Sequence, residues 1–235
     1  MLWLHLFVTW NNHRCSPEKN YISMHRITKI APLEIERESF RIIEEEFAEQ
    51  TGLKQEDFDP SRFAVIQRVI HATGDFSFAH LIRFHPEAVE AGLAAVRSGK
   101  NILTDVNMAA AGISRSFLEP YGGSVICKVA DPEIEDIAKK QGRTRSQTAI
   151  EVGMQENVGI VAIGNAPTAL ITVMILIEEG RIKPDLVIGV PVGFVNASES
   201  KEILAEKDYP YIYCDGRKGG TPVSVAIINA LLRLA

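Results

Sequence analysis

His71 and the cations of two glycine-bounded turns are the side chains best suited to chemistry on an anionic ligand. A histidine can donate a proton near neutral pH. The turns are Gly142-Arg143-Thr144-Arg145-Ser146 and Asp215-Gly216-Arg217-Lys218-Gly219-Gly220-Thr221. Arginine binds carboxylates through a two-pronged fork, and glycine-rich turns at a helix start attract anions. These residues predict a site for a broad ligand with several negative charges.

Each feature also has a structural interpretation, which the residues themselves leave open. A lone histidine is commonly a packed, hydrogen-bonded side chain. An arginine-rich turn is commonly a solvated surface turn. Glycines and prolines at strand ends are commonly tight connections and nothing more.

The central element that must position these residues is a β-α-β unit between Gly159 and Lys201. Residues 159–164 form a short apolar run, typical of a strand buried on both faces. Asn165 is the predicted N-cap of the following helix, and a second buried strand covers 186–190. Ligands of open parallel sheets bind outside the carboxyl ends of the strands, so these strand ends predict a binding edge.

The rest of the chain extends this pattern. Five strands alternate with helices from Asn101 onward, which predicts an α/β fold of three αβα layers with a mostly parallel five-stranded sheet. The predicted strands are 101–106, 124–129, 159–164, 186–190 and 211–214. Periodicity predicts N-terminal helices as well, including one over 32–50.

The helix that carries His71 has clear end signals. Asp59-Pro60 provides an N-cap and a first-turn proline, and Gly74 is a plausible terminator. His71 then falls in the last turn, where the helix dipole favours the imidazolium and predicts a raised pKa.

Several longer motifs resemble one known family. Val69–Gly74, Gly164–Leu170, Gly189–Val195 and Glu199-Ser200-Lys201 resemble the precorrin-8X methylmutase (cobalt-precorrin-8 methylmutase) family of corrin biosynthesis, in its order and spacing. The resemblance covers approximately Ile30 to the C-terminus.

The resemblance implies a flavodoxin-like strand order and an isomerase without redox step or added cofactor. A methyl group would move between adjacent carbons of a tetrapyrrole ring, giving hydrogenobyrinate or its cobalt form, with His71 as the acid. It implies a homodimer whose site lies near the subunit interface. The substrate-binding residues carried over from the family motifs are Ser39, Thr73, Asp105, Met108, Thr144, Arg145, Ser146, Asn165, Thr168, Arg217 and Lys218.

Two other functions are alternatives to this one. A corrinoid carrier would bind the same ligand without converting it, but His71 in its matching motif speaks against that. A nucleotide-binding Rossmann enzyme lacks support, because no G-x-G-x-x-G follows a strand and no P-loop is present.

Composition limits the remaining classes. A formal net charge of −5 argues against a general nucleic-acid binder. Three cysteines far apart predict neither a zinc site nor a disulfide framework, and favour the cytoplasm. The spacing of His71, His80 and His85 does not support a metal site.

The N-terminus is predicted to be an appendage. Residues 1–8 are apolar but too short to span a bilayer, and no basic residue precedes them, so a membrane anchor or signal peptide is not expected. Residues 1–29 are predicted to be an irregular extension, and the residues before Met24 are predicted to be an appended or mis-called start without a functional role. Residues 30–235 are predicted to form a single domain.

Overall fold

Six strands form one sheet in the computed structural model, which describes residues 30–235. Their order is β1-β6-β5-β4-β2-β3, and all neighbours are parallel except β1 and β6. The five parallel strands thus follow the flavodoxin-like order 2-1-3-4-5, which confirms the predicted α/β class. The strands are β1 Ile82–Phe84, β2 Asn101–Thr104, β3 Val125–Ile126, β4 Val158–Ile163, β5 Leu186–Gly189 and β6 Tyr211–Cys214.

The five strands predicted from Asn101 onward are confirmed, but the sheet has six strands, because β1 adds an antiparallel edge strand. Ile82 pairs with Cys214 and Phe84 pairs with Ile212. Three residues carry too little alternation to identify a strand. The pairing partner, β6, lies far along the chain and supplies the strand's hydrogen bonds.

Helices cover both faces of the sheet, and two apolar cores divide the packing. One core joins α2, α4 and α11 to residues such as Ile102 and Ile188, and the other joins α8 and α9 to Val161 and Val187. The helices are α1 Ile35–Thr51, α2 Pro60–Thr73, α3 Phe78–Leu81, α4 Ala88–Arg97, α5 Asn107–Gly112, α6 Arg115–Leu118, α7 Pro132–Gln141, α8 Arg145–Gly153, α9 Pro167–Glu178, α10 Ala197–Ala205 and α11 Thr221–Leu234. Short 3-10 turns cover Pro32–Glu34, Gln55–Asp57 and Glu119–Tyr121.

The end signals of α2 are confirmed. An oxygen of Asp59 accepts hydrogen bonds from the backbone N–H groups of Ser61 at 2.9 Å and Arg62 at 3.2 Å. Gly74 ends the helix in the left-handed conformation, with a φ of 65°. His71 therefore lies in the last turn, as predicted.

The N-terminal residues are only partly described. The predicted extension, residues 1–29, and the suggested start at Met24 lie outside the described residues. Glu36–Ala235 form one compact unit, while residues 30–35 belong to an N-terminal unit. Within residues 30–235, no helix combines the length and apolarity that crossing a membrane requires.

Candidate functional site

The carboxyl ends of the parallel strands bring several of the predicted residues to one edge of the sheet. Asp105 follows β2, Asn165 follows β4, and Arg217 and Lys218 follow β6. The reversal of strand order lies between β2 and β4, where open sheets of this class hold their ligands.

Asp105 holds the loop after β4 together. None of its surface is exposed. Its carboxylate accepts hydrogen bonds from the backbone N–H groups of Gly164 at 3.1 Å, Asn165 at 2.8 Å and Ala166 at 2.7 Å. Burial raises the pKa of Asp105, and the three N–H donors oppose that shift. The anion that the sequence predicts at this loop is thus partly supplied by the protein itself.

The predicted N-cap at Asn165 is wrong. Ala166 occupies the N-cap position of α9 and makes no side-chain cap. The free N–H groups before the helix are bonded to Asp105 instead, so the side chain of Asn165 is left exposed. Its predicted role in ligand binding stays a prediction, as does that of half-buried Thr168.

The loop Asp215–Gly220 connects this edge to the helix that carries His71. Nζ of Lys218 donates to an oxygen of Asp75 at 2.6 Å and to the Ser77 hydroxyl at 2.8 Å. Asp75 follows Gly74 directly in sequence, and Ser77 lies two residues further on. The hydrogen bond from Lys218 lowers the pKa of Asp75. The structure therefore brings the basic loop and the end of α2 into direct contact.

Glycines permit the path of this loop, and two of them allow a matched comparison. We expect Gly219→Ala to destabilise the protein by about 2–3 kcal/mol, because its φ of 145° suits glycine and a Cβ would lie 2.3 Å from the Val190 carbonyl oxygen. Gly216→Ala should cost only about 1 kcal/mol, since its φ is 64° and a Cβ there meets open space. Denaturant unfolding measures both, and equal losses would contradict this packing argument.

His71 is exposed and rests against one aromatic ring. The imidazole meets the Phe40 ring edge-on, with centroids 5.2 Å apart and planes at 87°. The Arg68 guanidinium lies over the same Phe40 ring at 4.5 Å and pairs with Glu36, which Arg233 also contacts at 3.2 Å. The ring is thus oriented by packing while one side stays open to a ligand.

The predicted rise in the pKa of His71 is wrong. Partial desolvation of the ring lowers its pKa below the usual 6.5, and the neighbouring Arg68 lowers it further. The Glu36 carboxylate acts in the opposite direction. Partial burial is the largest cause of the lowered pKa, and the helix-dipole argument behind the prediction did not include it.

Large apolar side chains are exposed near the same edge. Phe194 is 82% exposed and Met108 is 72% exposed. The Arg217 guanidinium lies 5.3 Å from the centre of the Phe194 ring. An exposed aromatic ring under a cation offers a surface for a planar anionic ligand.

The turn at Thr144 has a structural role in addition to its predicted one. The Thr144 hydroxyl accepts from the Gln147 N–H at 3.2 Å and caps α8, while the Gln147 side chain accepts from the Thr144 N–H at 2.9 Å. Arg145 is exposed and Ser146 is half-buried. Within residues 36–235, no hydrogen bond or ion pair joins this turn to His71 or to the basic loop, so the structure does not bring it together with them.

Two further predicted residues lie on the N-terminal helices. Thr73, in the last turn of α2, donates its hydroxyl to the Val69 carbonyl oxygen at 2.8 Å and accepts from the Asp75 N–H at 3.3 Å. Ser39 is half-buried on α1, one residue before Phe40. Their ligand contacts remain predictions.

Three residues that contact the basic loop had no predicted role: Asp75, Ser77 and Lys201. A signal existed for Asp75 and Ser77, because Gly74-Asp75-Phe76-Ser77 has the composition of a capped turn. Lys201 belongs to the motif Glu199-Ser200-Lys201, but its burial was not predicted, since a lysine in a helix is usually solvated. In the part of the chain that the structure describes, no group of histidine, cysteine or acidic side chains is arranged to hold a metal ion.

Comparison with known proteins points to one family. The family profile described as Precorrin-8X methylmutase matches residues 34–234. A cobalt-precorrin-8 methylmutase of Priestia megaterium is 42% identical over 88% of this chain and 89% of its own length. A precorrin-8X methylmutase of Pseudomonas aeruginosa is 42% identical over 84% of this chain and 93% of its own. A crystal structure of a precorrin-8X methylmutase from Thermus thermophilus superposes with a TM-score of 0.76 at 40% identity, covering 86% and 95% of the two chains.

Proposed function

The chain belongs to the precorrin-8X methylmutase family, and from that premise we propose that it moves a methyl group between adjacent ring carbons of precorrin-8X or cobalt-precorrin-8. The product would be hydrogenobyrinate or cobyrinate. The family makes the chain an isomerase of the methylmutase type. The substrate, the products and the role of His71 are the proposed parts.

One observation carries the proposal. The exposed His71 ring lies at the end of α2, and the turn that follows this helix is bonded to Lys218 of the basic loop. A proton donor and a cationic edge are thus parts of one connected site. A tetrapyrrole with several carboxylates needs that combination.

The proposed reaction requires one proton donor from the protein. Moving a methyl group within one molecule leaves its formula unchanged, so the reaction balances if one acid gives a proton and takes it back. Protonated His71 would donate to a ring nitrogen or the adjacent π-system, which withdraws electrons and eases migration of the methyl group. General acid catalysis of this kind contributes ~10²–10⁴-fold.

Binding would be shared among cations, polar groups and one aromatic ring. Arg217 and Arg145 are exposed guanidinium groups suited to carboxylates. Phe194 offers an exposed face to a planar ring. Ser39, Thr73, Ser146, Asn165 and Thr168 remain candidates for hydrogen bonds to the ligand.

The direct test is turnover under anaerobic conditions. Purified protein is mixed with precorrin-8, with and without cobalt, and the visible spectrum is followed. Appearance of the corrin product spectrum supports the proposal and reports the metal preference. Binding of the ligand without conversion would overturn the mutase in favour of a carrier.

The pH dependence should report the environment of His71. The acid is the protonated form, and its pKa in the free protein lies below 6.5. We therefore expect kcat/KM to fall as pH rises through that pKa. Carboxylates of the bound substrate would raise the pKa of His71, so the same fall in kcat should occur at higher pH.

Glu36→Gln sharpens this test, since the Glu36 carboxylate raises the pKa of His71. Its loss should move the falling limb of kcat/KM to lower pH. Glu45→Gln is the matched control, because Glu45 lies on the same helix and pairs with Arg41 instead. A limb that stays in place in Glu36→Gln would remove His71 as the titrating group.

The proposal also covers assembly, location and domain structure. The family resemblance implies a homodimer, which light scattering on the purified protein tests. Cys127 and Cys214 are free thiols, and a reducing cytoplasm would keep them so. Residues 30–235 are proposed to act as one domain, with residues 1–29 as an extension.

A further inference from the structure

Lys201 on α10 is a fully buried lysine. None of its surface is exposed, and its Nζ donates to the carbonyl oxygen of Lys218 at 2.7 Å. Burying an ammonium group is unfavourable, and a methionine of similar length would fill the same space without that penalty. The ammonium contributes what methionine lacks, which is a strong hydrogen-bond donor to one backbone carbonyl.

The loop that receives this hydrogen bond has little intrinsic preference for one backbone conformation. Gly216, Gly219 and Gly220 all have positive φ angles. Glycine populates many backbone conformations, so a loop containing three of them takes its shape from its contacts. The Gly220 N–H donates to the Val190 carbonyl at 2.7 Å, and the Gly193 N–H donates to the Arg217 carbonyl at 3.3 Å.

Lys218 forms hydrogen bonds through both its backbone carbonyl and its side-chain ammonium group. Its carbonyl accepts from Lys201, and its ammonium donates to Asp75 and Ser77 after the helix of His71. A shift of this carbonyl would move the ammonium as well, because both belong to one residue of a pliable loop. Burial lowers the pKa of Lys201, while the nearby Cys214 and Asp215 act in the opposite direction.

We propose that Lys201 is a positioning residue, which fixes the loop Asp215–Gly220 through the carbonyl of Lys218. The loop then holds Lys218 against Asp75 and Arg217 beside Phe194. Lys201 acts through the loop and contacts no substrate. The effect on turnover rests on the proposed function, whereas the effect on the loop does not.

The first measurement compares Lys201→Met with Lys183→Met. Methionine keeps the stem of Lys201 and removes its donor, and Lys183 is an exposed lysine outside the site. We expect Lys201→Met to lower kcat/KM on the order of 10²-fold, which is what a 1 Å displacement of binding groups can cost. Its melting temperature should stay close to wild type, since the change also removes a buried charge. Unchanged kcat/KM would overturn the proposal, as would a loss that a lower melting temperature explains.

A mutant cycle identifies the route of the effect. If Lys201 acts through the loop, then Lys201→Met should add little to the loss already caused by Arg217→Met and Lys218→Met together, because those two changes remove both cations that the loop positions. Losses that multiply would show that Lys201 acts elsewhere and would overturn the proposal.

Hydrogen exchange tests the loop without any substrate. Peptides covering 215–220 should exchange faster in Lys201→Met than in wild type, and at the wild-type rate in Lys183→Met. If wild type shows no turnover, the proposed function fails and this comparison still decides the role of Lys201. Unchanged exchange would refute that role in either case. Lys201→Gln, with a shorter neutral side chain, carries the same comparison if Lys201→Met does not fold.

Discussion

Replacing His71 with alanine is expected to lower turnover of precorrin-8 by ~10²–10⁴-fold while leaving ligand affinity within a few-fold of wild type. The imidazole is the proposed acid, and the cations that would bind the carboxylates lie on other segments. The side chain is exposed and packs against Phe40 alone among aromatic rings of residues 36–235, so its removal should cost little stability. Single-turnover absorbance changes measure conversion, and titration with the product measures affinity.

His80→Ala is the matched control for this experiment. His80 is also exposed and near the end of a short helix, and its Nε2 lies 2.9 Å from the Thr51 carbonyl oxygen. Its replacement should leave turnover near wild type. Equal activity of the two alanine variants would remove the acid role from His71. A loss of affinity equal to the loss of turnover would make His71 a binding residue.

The largest effect on stability is expected at Asp105. Asp105→Ala leaves three buried or half-buried backbone N–H groups without their acceptor, each worth roughly 1–3 kcal/mol. We expect the free energy of unfolding to fall by about 3 kcal/mol or more. Urea unfolding followed by circular dichroism measures the loss.

Asp59→Ala provides the comparison, because Asp59 also accepts from backbone N–H groups but at an exposed helix start. Water can replace its carboxylate there, so the loss should be clearly smaller. Equal losses would mean that the burial of Asp105 contributes nothing to its effect. The loss of stability in Asp105→Asn should lie between the losses in Asp105→Ala and Asp59→Ala. The amide oxygen of asparagine can still accept a hydrogen bond, but its amide nitrogen would face N–H donors.

Local signals predicted much of the fold. The N-cap at Asp59, the terminator at Gly74 and the apolar run of β4 depend on residues close in sequence, and the structure confirms them. The edge strand β1 escaped prediction because its partner β6 is distant in the chain. The N-cap of α9 was misplaced for the same reason, since Asp105 satisfies that helix start from another strand.

The features of the site also divide into those that local sequence predicts and those that depend on residues distant in the chain. Motifs predicted His71, Arg217 and Lys218 as site residues, because their residue types and spacing are local. The direction of the His71 pKa depends chiefly on partial burial, and the ring packs against Phe40 of another helix. The burial of Lys201 depends on elements from several parts of the chain. Neither quantity is encoded in a short window of sequence.

The pairing of the first and last parts of the compact unit has a consequence for how the chain folds as it is made. Helix α2 packs along α11, the final helix, and β1 hydrogen-bonds to β6, the final strand. The N-terminal helices therefore leave the ribosome long before the surfaces that bury them exist. Long-range pairing of this kind slows folding, and apolar surface stays open in the meantime. The nascent chain must keep its first helices from aggregating until its last residues are synthesised.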